Sequence, residues 1–440
     1  MTVPSDENRA RNTPASNTPA NTLPASPLTR TAPEGNPPTF TGTQPGPQAS
    51  VASPTSYNWT QPVQSSPPAP QRYSGRIGGL DIARALAIFG MFYAHVAPYV
   101  DGSTAAVVLD AIPDGRSSIL FALLAGVSLS ILTGRNVPYT GDDMRTARLR
   151  IFGRAAMLLI LAGPVVLLGT PIAIILAFYA AWFVAALPFA SWSPRKLFIL
   201  AAGTALLGPV AVQLFIWFTA NLNMWGMGDA NGFIVDVFFT GMYPGAVYMA
   251  YVFAGMGIGR LNITDRLTQA ILALSGTALM IIGYGTSWIL TRIIDAPPEI
   301  FDESYDDGAW MDDSWTWQGY PLPHISEWIG IEPHTNTVFE AVGSGGFAIA
   351  VLSVCLLASP LARTILYPLA AVGSMALTAY TAHIVVIAFT DDWVGGDSWA
   401  PIFWLIGGAL LLCTLVKQFF RRGPLEWVMW KVSLKTAQVK

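Results

Sequence analysis

Long apolar runs separated by short polar breaks extend along the chain from Gly78 to Val416. A membrane-spanning helix needs about 20 mostly apolar residues. Ten segments meet this requirement, namely Gly79–Tyr99, Ser117–Thr133, Ile151–Leu168, Ile172–Phe189, Leu197–Thr219, Val235–Ile258, Leu267–Leu290, Val338–Leu357, Ile365–Phe389 and Pro401–Val416. The pattern predicts an all-α, polytopic transmembrane helix bundle of about ten helices, or eleven if a loop re-enters the membrane.

The beginning of the chain follows a different pattern. Residues 1–75 are rich in Pro, Ser, Thr and Asn and contain few large apolar side chains. Such a segment buries too little apolar surface to offset the entropy lost on ordering, so we expect a disordered tail that serves as a tether or is dispensable. The bundle then occupies residues 76–430, with an outer loop at 292–337 and a short tail at 431–440.

Composition agrees with a membrane protein. The chain has 440 residues, of which 52% are hydrophobic and only 12% charged, whereas soluble domains carry about 25% charged residues. The net charge of −3 does not suggest nucleic-acid binding. Cys355 and Cys413 lie inside apolar runs, which indicates buried thiols rather than a disulfide framework.

The distribution of Lys and Arg predicts the orientation in the cell membrane, because short cytoplasmic loops carry the excess of positive charge. Placing both termini in the cytoplasm leaves only Arg116 and Arg292 in outer loops. The outer loop from Arg292 to Thr337 is acidic and aromatic, with Trp310, Trp315, Trp317, Tyr320 and Trp328. Aromatic rings beside carboxylates suit sugar binding, but an interfacial aromatic belt has the same composition.

The first predicted span carries three ionisable residues, Asp81, Arg84 and His95. Each costs about 2.5–3.5 kcal/mol at the centre of a bilayer, so they must face the protein interior or a wet cavity. Asp81 and Arg84 are three residues apart and can pair. His95 follows Arg84 by eleven residues, which places it on nearly the same face and ~16 Å along the helix.

A stripe of this length matches an extended substrate. Arg84 could hold an anionic headgroup, and His95 could act as general base on a hydroxyl or amine. Coenzyme A, with phosphates at one end and a reactive thioester at the other, has this shape. The alternative is that Asp81 and Arg84 orient the helix and that His95 is a satisfied core histidine.

Other candidate groups occur at both ends of the predicted bundle. His383 should lie at about the height of His95, and Glu340 needs a partner within the membrane, for which a His or Arg is the obvious candidate. The candidates for an outer acceptor site are Arg116, Ser117, His334 and Asp236. Arg148 and Arg154, in the predicted cytoplasmic loop "TGRNVPYTGDDMRTARLRIFGR", could meet phosphates or act as membrane anchors. His324 is expected to be solvated, and no spacing fits a metal motif.

Several motifs resemble those of a known family. The segment "LDIARALAIFGMFYAH" resembles the first helix of the membrane acyltransferase superfamily. Further segments are similar to YeiB-like bacterial proteins related to heparan-α-glucosaminide N-acetyltransferases, namely "GRSSILFALLAGVSLSILTGR", "EPHTNTVFEAVGSGG", "AAVGSMALTAYTAHI" and "RGPLEWVMW". The resemblance covers nearly everything after Arg76.

The resemblance implies a function. It implies transfer of an acyl group, usually acetyl, from cytoplasmic acyl-CoA to an outward-facing cell-envelope sugar or glycolipid. Asp81, Arg84, Arg148 and Arg154 would then serve the donor, while His95, with His383 and Glu340, would serve catalysis. In the glucosaminide branch the catalytic His lies beyond the helix end, where this chain has Asp101 and Asp110. Ser374 occupies a position where the pattern usually has Arg.

Two other functions remain open. A transporter or flippase of an envelope lipid or small solute would also need polar residues along its path, although the sequence shows no inverted repeat and no matched pair of broken helices. A scaffold acting through the Pro-rich tail would not need the buried stripe. The lipid bilayer is an expected partner in every case, and homo-oligomerisation stays open.

Overall fold

The described part of the chain is helical. The computed structural model describes residues 76–98, 112–222, 232–294, 323, 325–390 and 392–437, and these contain no β-strand. In chain order the helices are α1 Gly78–Val96, α2 Arg116–Leu132, α3 Gly141–Val166, α4 Leu176–Ala186, α5 Pro194–Asn221, α6 Phe233–Thr240, α7 Gly245–Gly259, α8 Arg266–Ile293, α9 Ile325–Ile329, α10 Val338–Leu357, α11 Tyr367–Ser374, α12 Ala376–Ala388, α13 Ala400–Phe419 and α14 Pro424–Ala437.

The predicted all-α bundle is confirmed. Six helices, α1, α3, α5, α8, α10 and α13, are long and apolar enough to cross a membrane. The pairs α6–α7 and α11–α12 also qualify, but each is bent at a short break, by 70° and 82° respectively. The helix α2 and the segment Leu176–Phe189 are shorter apolar helices. Each of the ten predicted segments therefore coincides with one helix or one bent pair.

Two helix pairs are bent at short breaks, and both lie in the second half of the 440-residue chain. The first break lies between Thr240 and Gly245, where Gly241 and Pro244 interrupt the helix, and a π-helical turn precedes it. The second lies at Met375, whose backbone is not helical.

The segment expected to be a cytoplasmic loop is largely helical. Helix α3 begins at Gly141, ten residues before the predicted start at Ile151, and its added turns bury Met144 and Ala147. The charged residues of this segment were the reason to expect a loop. They lie instead on the exposed side of an amphipathic helix that extends the span toward Gly141. Helix α14 packs against α3 and crosses the predicted boundary between residues 430 and 431.

Small residues allow the helices to cross closely. In the contact between α2 and α7, a Cβ at Gly126 would overlap the Val252 carbonyl oxygen, and a Cβ at Gly255 would overlap that of Leu123. Such reciprocal glycines are typical of membrane helix interfaces, where van der Waals packing drives association. The outside of the bundle is apolar, with Leu207 70% and Trp404 72% exposed, as expected for a surface that faces lipid.

The bundle has two ends, which we name by their residues. The arginine end carries Arg76, Arg84 and Arg260, and the histidine end carries His95 and His383. The tail at residues 1–75, Asp101, Asp110, His324 and most of the predicted outer loop, including Trp310, Trp315, Trp317 and Tyr320, lie outside the described residues.

Candidate functional site

Asp81 joins two arginines at the arginine end of α1. Its carboxylate accepts from Arg84 Nη1 at 2.9 Å, as the sequence predicted, and from Arg76 Nε at 2.6 Å. The Asp81 side chain is only 6% exposed. Arg84 also donates from Nη2 to Ser128 Oγ of α2 at 3.0 Å. The hydrogen bonds to Asp81 and Ser128 hold the Arg84 guanidinium in a fixed direction.

Arg84 lines a cavity of about 380 Å³, which we call the arginine cavity. Five guanidinium groups line it, from Arg76, Arg84, Arg154, Arg421 and Arg422, together with one carboxylate, that of Glu426. The Nε atom of Arg154 is buried and has no hydrogen-bond partner among the described residues. A concave surface with several cations and an unsatisfied donor favours a phosphate-bearing ligand.

Arg148 does not belong to this cavity. It lines a separate cavity of about 540 Å³ together with Tyr139 and Arg145. Of the two arginines predicted from the α3 segment, the structure therefore places Arg154 beside Arg84 and Arg148 elsewhere. They are six positions apart on α3, which places them about 120° apart around the helix and therefore on different faces.

Part of the arginine cavity is aromatic and apolar. Phe121, Leu124, Tyr179 and Tyr380 are among its lining residues, and the hydroxyl groups of both tyrosines are engaged. Tyr179 donates to the Phe121 carbonyl oxygen, and Tyr380 accepts from the Ile175 backbone N–H at 3.2 Å. The satisfied hydroxyls leave an apolar surface that would exclude water from a chain inserted there.

His95 and His383 form a pair at the histidine end. His95 Nδ1 and His383 Nε2 are 3.0 Å apart, and the two rings are nearly parallel with centroids 5.3 Å apart. His383 is 2% exposed and packs against Phe92 and Tyr380, with the Tyr380 ring centroid 5.2 Å away. The equal height predicted for the two histidines is confirmed. Tyr380 therefore contacts the histidine pair and also lines the arginine cavity.

Glu426 of α14 fixes the beginning of α12. Its carboxylate accepts from the Thr378 backbone N–H at 3.0 Å and from Thr378 Oγ1 at 2.6 Å. A carboxylate at a helix N-terminus satisfies free N–H groups and complements the helix dipole. Sequence reasoning assigned no role to either residue, although both occur in segments quoted for the family resemblance.

A lysine stands beside the position where the resembled pattern has Arg. Ser374 Oγ accepts from Lys417 Nζ of α13 at 2.9 Å. Lys417, from another helix, therefore places a cation beside the position where the resembled pattern has Arg. Sequence reasoning did not identify Lys417, because a contact between residues 43 positions apart leaves no local signal.

Glu340 has different partners from those expected. It is buried, and its carboxylate accepts from the backbone N–H groups of His334 at 3.0 Å and Asn336 at 2.6 Å and from Thr335 Oγ1 at 3.3 Å. These hydrogen-bond donors are not the expected His or Arg side chain, although the charge of Arg116 acts on the carboxylate. Thr337 Oγ1 in turn accepts from the Glu340 backbone N–H at 3.0 Å, so "TNTVFE" contains a helix-capping pattern that the sequence analysis overlooked.

The loop that Glu340 holds is tightly folded. His334 and Asn336 both have positive φ, at 67° and 53°. The His334 ring packs edge-on against Tyr243, with centroids 5.6 Å apart. Burial lowers the pKa of the His334 imidazole below its usual 6.5, while the Asp114 carboxylate opposes this shift. His334 is therefore neutral at pH 7.

The other predicted acceptor residues do not gather around His95. Arg116 Nε donates to the Tyr284 hydroxyl at 2.8 Å, and Ser117 Oγ donates to the Pro113 carbonyl oxygen at 2.6 Å. Asp236 is exposed and accepts from Thr240 Oγ1 at 2.7 Å. The Ser117 hydroxyl thus secures the turn that starts α2, and Asp236 makes a local contact in α6.

Comparison with known protein families gives a match in the C-terminal part of the chain. Residues 326–436, about a quarter of the sequence, match a family described as Protein of unknown function (DUF418). That family is associated with YeiB-like membrane proteins. None of the curated proteins compared with the chain matches it. The matched region spans Glu340, His383, Lys417 and Glu426, whereas Arg84 and His95 lie outside it.

Proposed function

We propose that this protein is an acyltransferase of the cell membrane. It takes an acyl group, acetyl by resemblance, from acyl-CoA at the arginine end and transfers it to an acceptor at the histidine end. The observation that carries the proposal is the position of Tyr380. It lines a cavity that five guanidinium groups also line, and its ring contacts the buried partner of His95.

The arginine cavity fits the donor. Coenzyme A has phosphates at one end, and guanidinium groups bind phosphate through charge-assisted, often bidentate hydrogen bonds. Hydrogen bonds to Asp81 and Ser128 fix the orientation of the Arg84 guanidinium. The Nε–H of Arg154 has no hydrogen-bond partner among the described residues and can therefore donate to a phosphate. The aromatic wall formed by Tyr179 and Tyr380 would contact the pantetheine arm and exclude water from the thioester.

The distance between the two ends suits an extended donor. Arg84 and His95 lie on one continuous helix, and eleven residues at 1.5 Å each span ~16 Å. The thioester would have to pass Tyr380 to approach His95. Tyr380 is buried, and its hydroxyl accepts from the Ile175 backbone N–H at 3.2 Å, so its ring forms the wall between the cavity and the histidine pair.

The histidine pair supplies the proton chemistry. If His95 acts as base through Nε2, its Nδ1–H donates to His383 Nε2, and this hydrogen bond holds the ring in the required tautomer. The acceptor oxygen or nitrogen bonds to the acyl carbon, the carbon–sulfur bond breaks, and the proton passes through His95 to the leaving thiolate. His383 then acts as a positioning residue. Transfer through an acyl group on His95 would use the same geometry.

The proposed acceptor is a sugar or glycolipid of the cell envelope. This acceptor class is the one that the resemblance implies. On the side of the bundle where α2 begins, Tyr243, Tyr248 and His334 form an aromatic cluster in which both tyrosines are buried. The proposed orientation places this side outside the cell and both termini in the cytoplasm, following the positions of Lys and Arg.

A transfer assay tests the proposal directly. Purified full-length protein is incubated with labelled acetyl-CoA and an extract of envelope lipids and glycans. We expect labelled product with the wild type, and a loss of about 10²–10⁴ with His95→Ala, which removes the general base. His383→Gln should retain part of the activity and shift its pH profile. The matched control is Asp397→Asn, an exposed charge between α12 and α13.

The bent helices favour a second candidate, a transporter or flippase. Broken helices at binding sites are common in transporters, and α12, which follows one of the breaks, carries His383. A transporter would move an envelope lipid or solute between the leaflets or faces of proteoliposomes without consuming a thioester. Label transfer that depends on His95 rejects this candidate. Movement of such a substrate without release of coenzyme A would instead reject the acyltransferase.

A further inference from the structure

A second, larger cavity lies at the arginine end, beside the arginine cavity. Its volume is about 550 Å³, and α1, α8, α11 and α13 contribute to its walls. We call it the side cavity. Four cations line it, namely Arg76, Arg266, Arg363 and Lys417. Arg76 lines the arginine cavity as well, so the two cavities are neighbours.

The side cavity has an excess of positive charge. Asp81 is the one carboxylate among its described lining residues, and it is already shared between Arg76 and Arg84. The contacts of Arg266 are to neutral acceptors, since Nη1 lies 3.4 Å from both Gln269 Oε1 and the Leu357 carbonyl oxygen. Lys417 likewise donates to a neutral hydroxyl, that of Ser374. The cavity is therefore suited to an anion.

The surface around the side cavity is strongly apolar. Leu267, next to Arg266, is 69% exposed, and Leu274 one to two turns further along α8 is 74% exposed. Ile365, two residues after Arg363, is 81% exposed. Large apolar side chains this exposed at the edge of a membrane bundle face lipid. The cations of the side cavity thus lie beside an apolar surface, as the headgroup of a membrane lipid lies beside its acyl chains.

We infer that the side cavity binds the headgroup of an anionic phospholipid. Its phosphate contacts Arg266, Arg363 and Lys417, and its acyl chains lie against the apolar residues of α8 and the segment around Ile365. Basic pockets between membrane helices on the cytoplasmic side are suited to such headgroups. This site is separate from the proposed transfer, and it would remain if the protein moved no acyl group.

Lipid binding to the purified full-length protein tests the inference. Native mass spectrometry in a neutral detergent measures retention of dioleoyl phosphatidylglycerol and, for comparison, dioleoyl phosphatidylcholine. The test variant is the double substitution Arg266→Gln and Arg363→Gln. The matched control is Arg195→Gln with Lys196→Gln, two exposed cations at the start of α5 that line neither cavity. The replaced side chains are exposed, and elution profiles and melting temperatures check that each variant folds.

We expect the wild type and the control to bind phosphatidylglycerol alike and more tightly than phosphatidylcholine. The test variant should bind phosphatidylglycerol at least about tenfold more weakly, since it loses two charged donors. Equal retention of the two lipids by the wild type, or equal retention of phosphatidylglycerol by the test variant, would overturn the inference. Displacement of the lipid by inorganic phosphate at low concentration would assign the cavity to a soluble phosphate instead and would also overturn it.

Discussion

The substitution Arg154→Gln tests the phosphate-binding role of the arginine cavity. It removes one of the five guanidinium groups that line the cavity and replaces it with a shorter polar side chain. The Arg154 Nε is buried without a hydrogen-bond partner among the described residues, so the substitution leaves no protein acceptor unsatisfied at that atom. The fold should therefore tolerate the change.

The expected loss of affinity follows from the contact that is removed. A hydrogen bond to a charged group contributes about 1.5–3 kcal/mol. Since each 1.4 kcal/mol changes a dissociation constant about tenfold, Arg154→Gln should weaken coenzyme A binding by about 10- to 150-fold. Acetyl-pantetheine, which has the thioester but no phosphates, should bind wild type and variant equally.

Isothermal titration calorimetry in detergent measures both affinities without any acceptor. Arg195→Gln is the matched control, because Arg195 is an exposed arginine at the same end of the bundle and does not line the cavity. An equal loss for coenzyme A and acetyl-pantetheine would show that Arg154 acts through the fold. Unchanged coenzyme A affinity would show that its phosphates bind elsewhere, and the donor assignment of the arginine cavity would be refuted.

Three further predictions concern stability. Gly373→Ala should destabilise the protein by about 1–3 kcal/mol, because the added Cβ would overlap the Asp81 carbonyl oxygen where α11 crosses α1. Glu340→Gln should lower the melting temperature by the equivalent of about 1–3 kcal/mol, since an amide group cannot accept at both oxygen positions from Asn336 and its neighbours. Stability should fall as the pH drops below about 6.5, because the unfolded state protonates His334 more readily than the native state does, and His334→Asn should flatten this dependence.

Each of these three has a control in the same chain. Gly407→Ala on α13 meets no atom within 4 Å and should be tolerated, so an equal effect of both alanines would exclude the overlap as the cause. Glu332→Gln changes an exposed carboxylate near Glu340, and equal melting temperatures for the two Gln variants would contradict the capping role. Asn tolerates the positive φ at residue 334, so a pH profile unchanged in His334→Asn would mean that another group titrates.

The helices and the first candidate residues follow from local patterns. Apolar length locates each span, and the spacing of Asp81, Arg84 and His95 on one face of α1 is a property of any helix. The ion pair and its distance from the histidine are therefore predictable. The beginning of α3 was missed because charges on an exposed helix face resemble those of a loop.

The contacts that complete the site join residues far apart in the chain. Tyr380 reaches Ile175 across 205 positions, and Glu426 reaches Thr378 across 48. One sequence carries no local sign of such pairs, because the partners meet only after the helices have packed. The Thr337–Glu340 capping pattern is different. It is local, and attention to capping residues would have found the true role of Glu340.

The bend at Met375 links the two halves of the proposed mechanism. Before the bend, α11 packs against α1 at Gly373, beside the Asp81 that orients Arg84. After the bend of 82°, Glu426 holds the beginning of α12, which carries Tyr380 and His383. A straight helix packed on α1 at the arginine end would keep one direction along its whole length. The bend gives α12 a different direction from α11, and in that direction His383 contacts His95. The bend therefore allows one short segment to contact the proposed donor site and the histidine pair, so a change in its angle would alter both together.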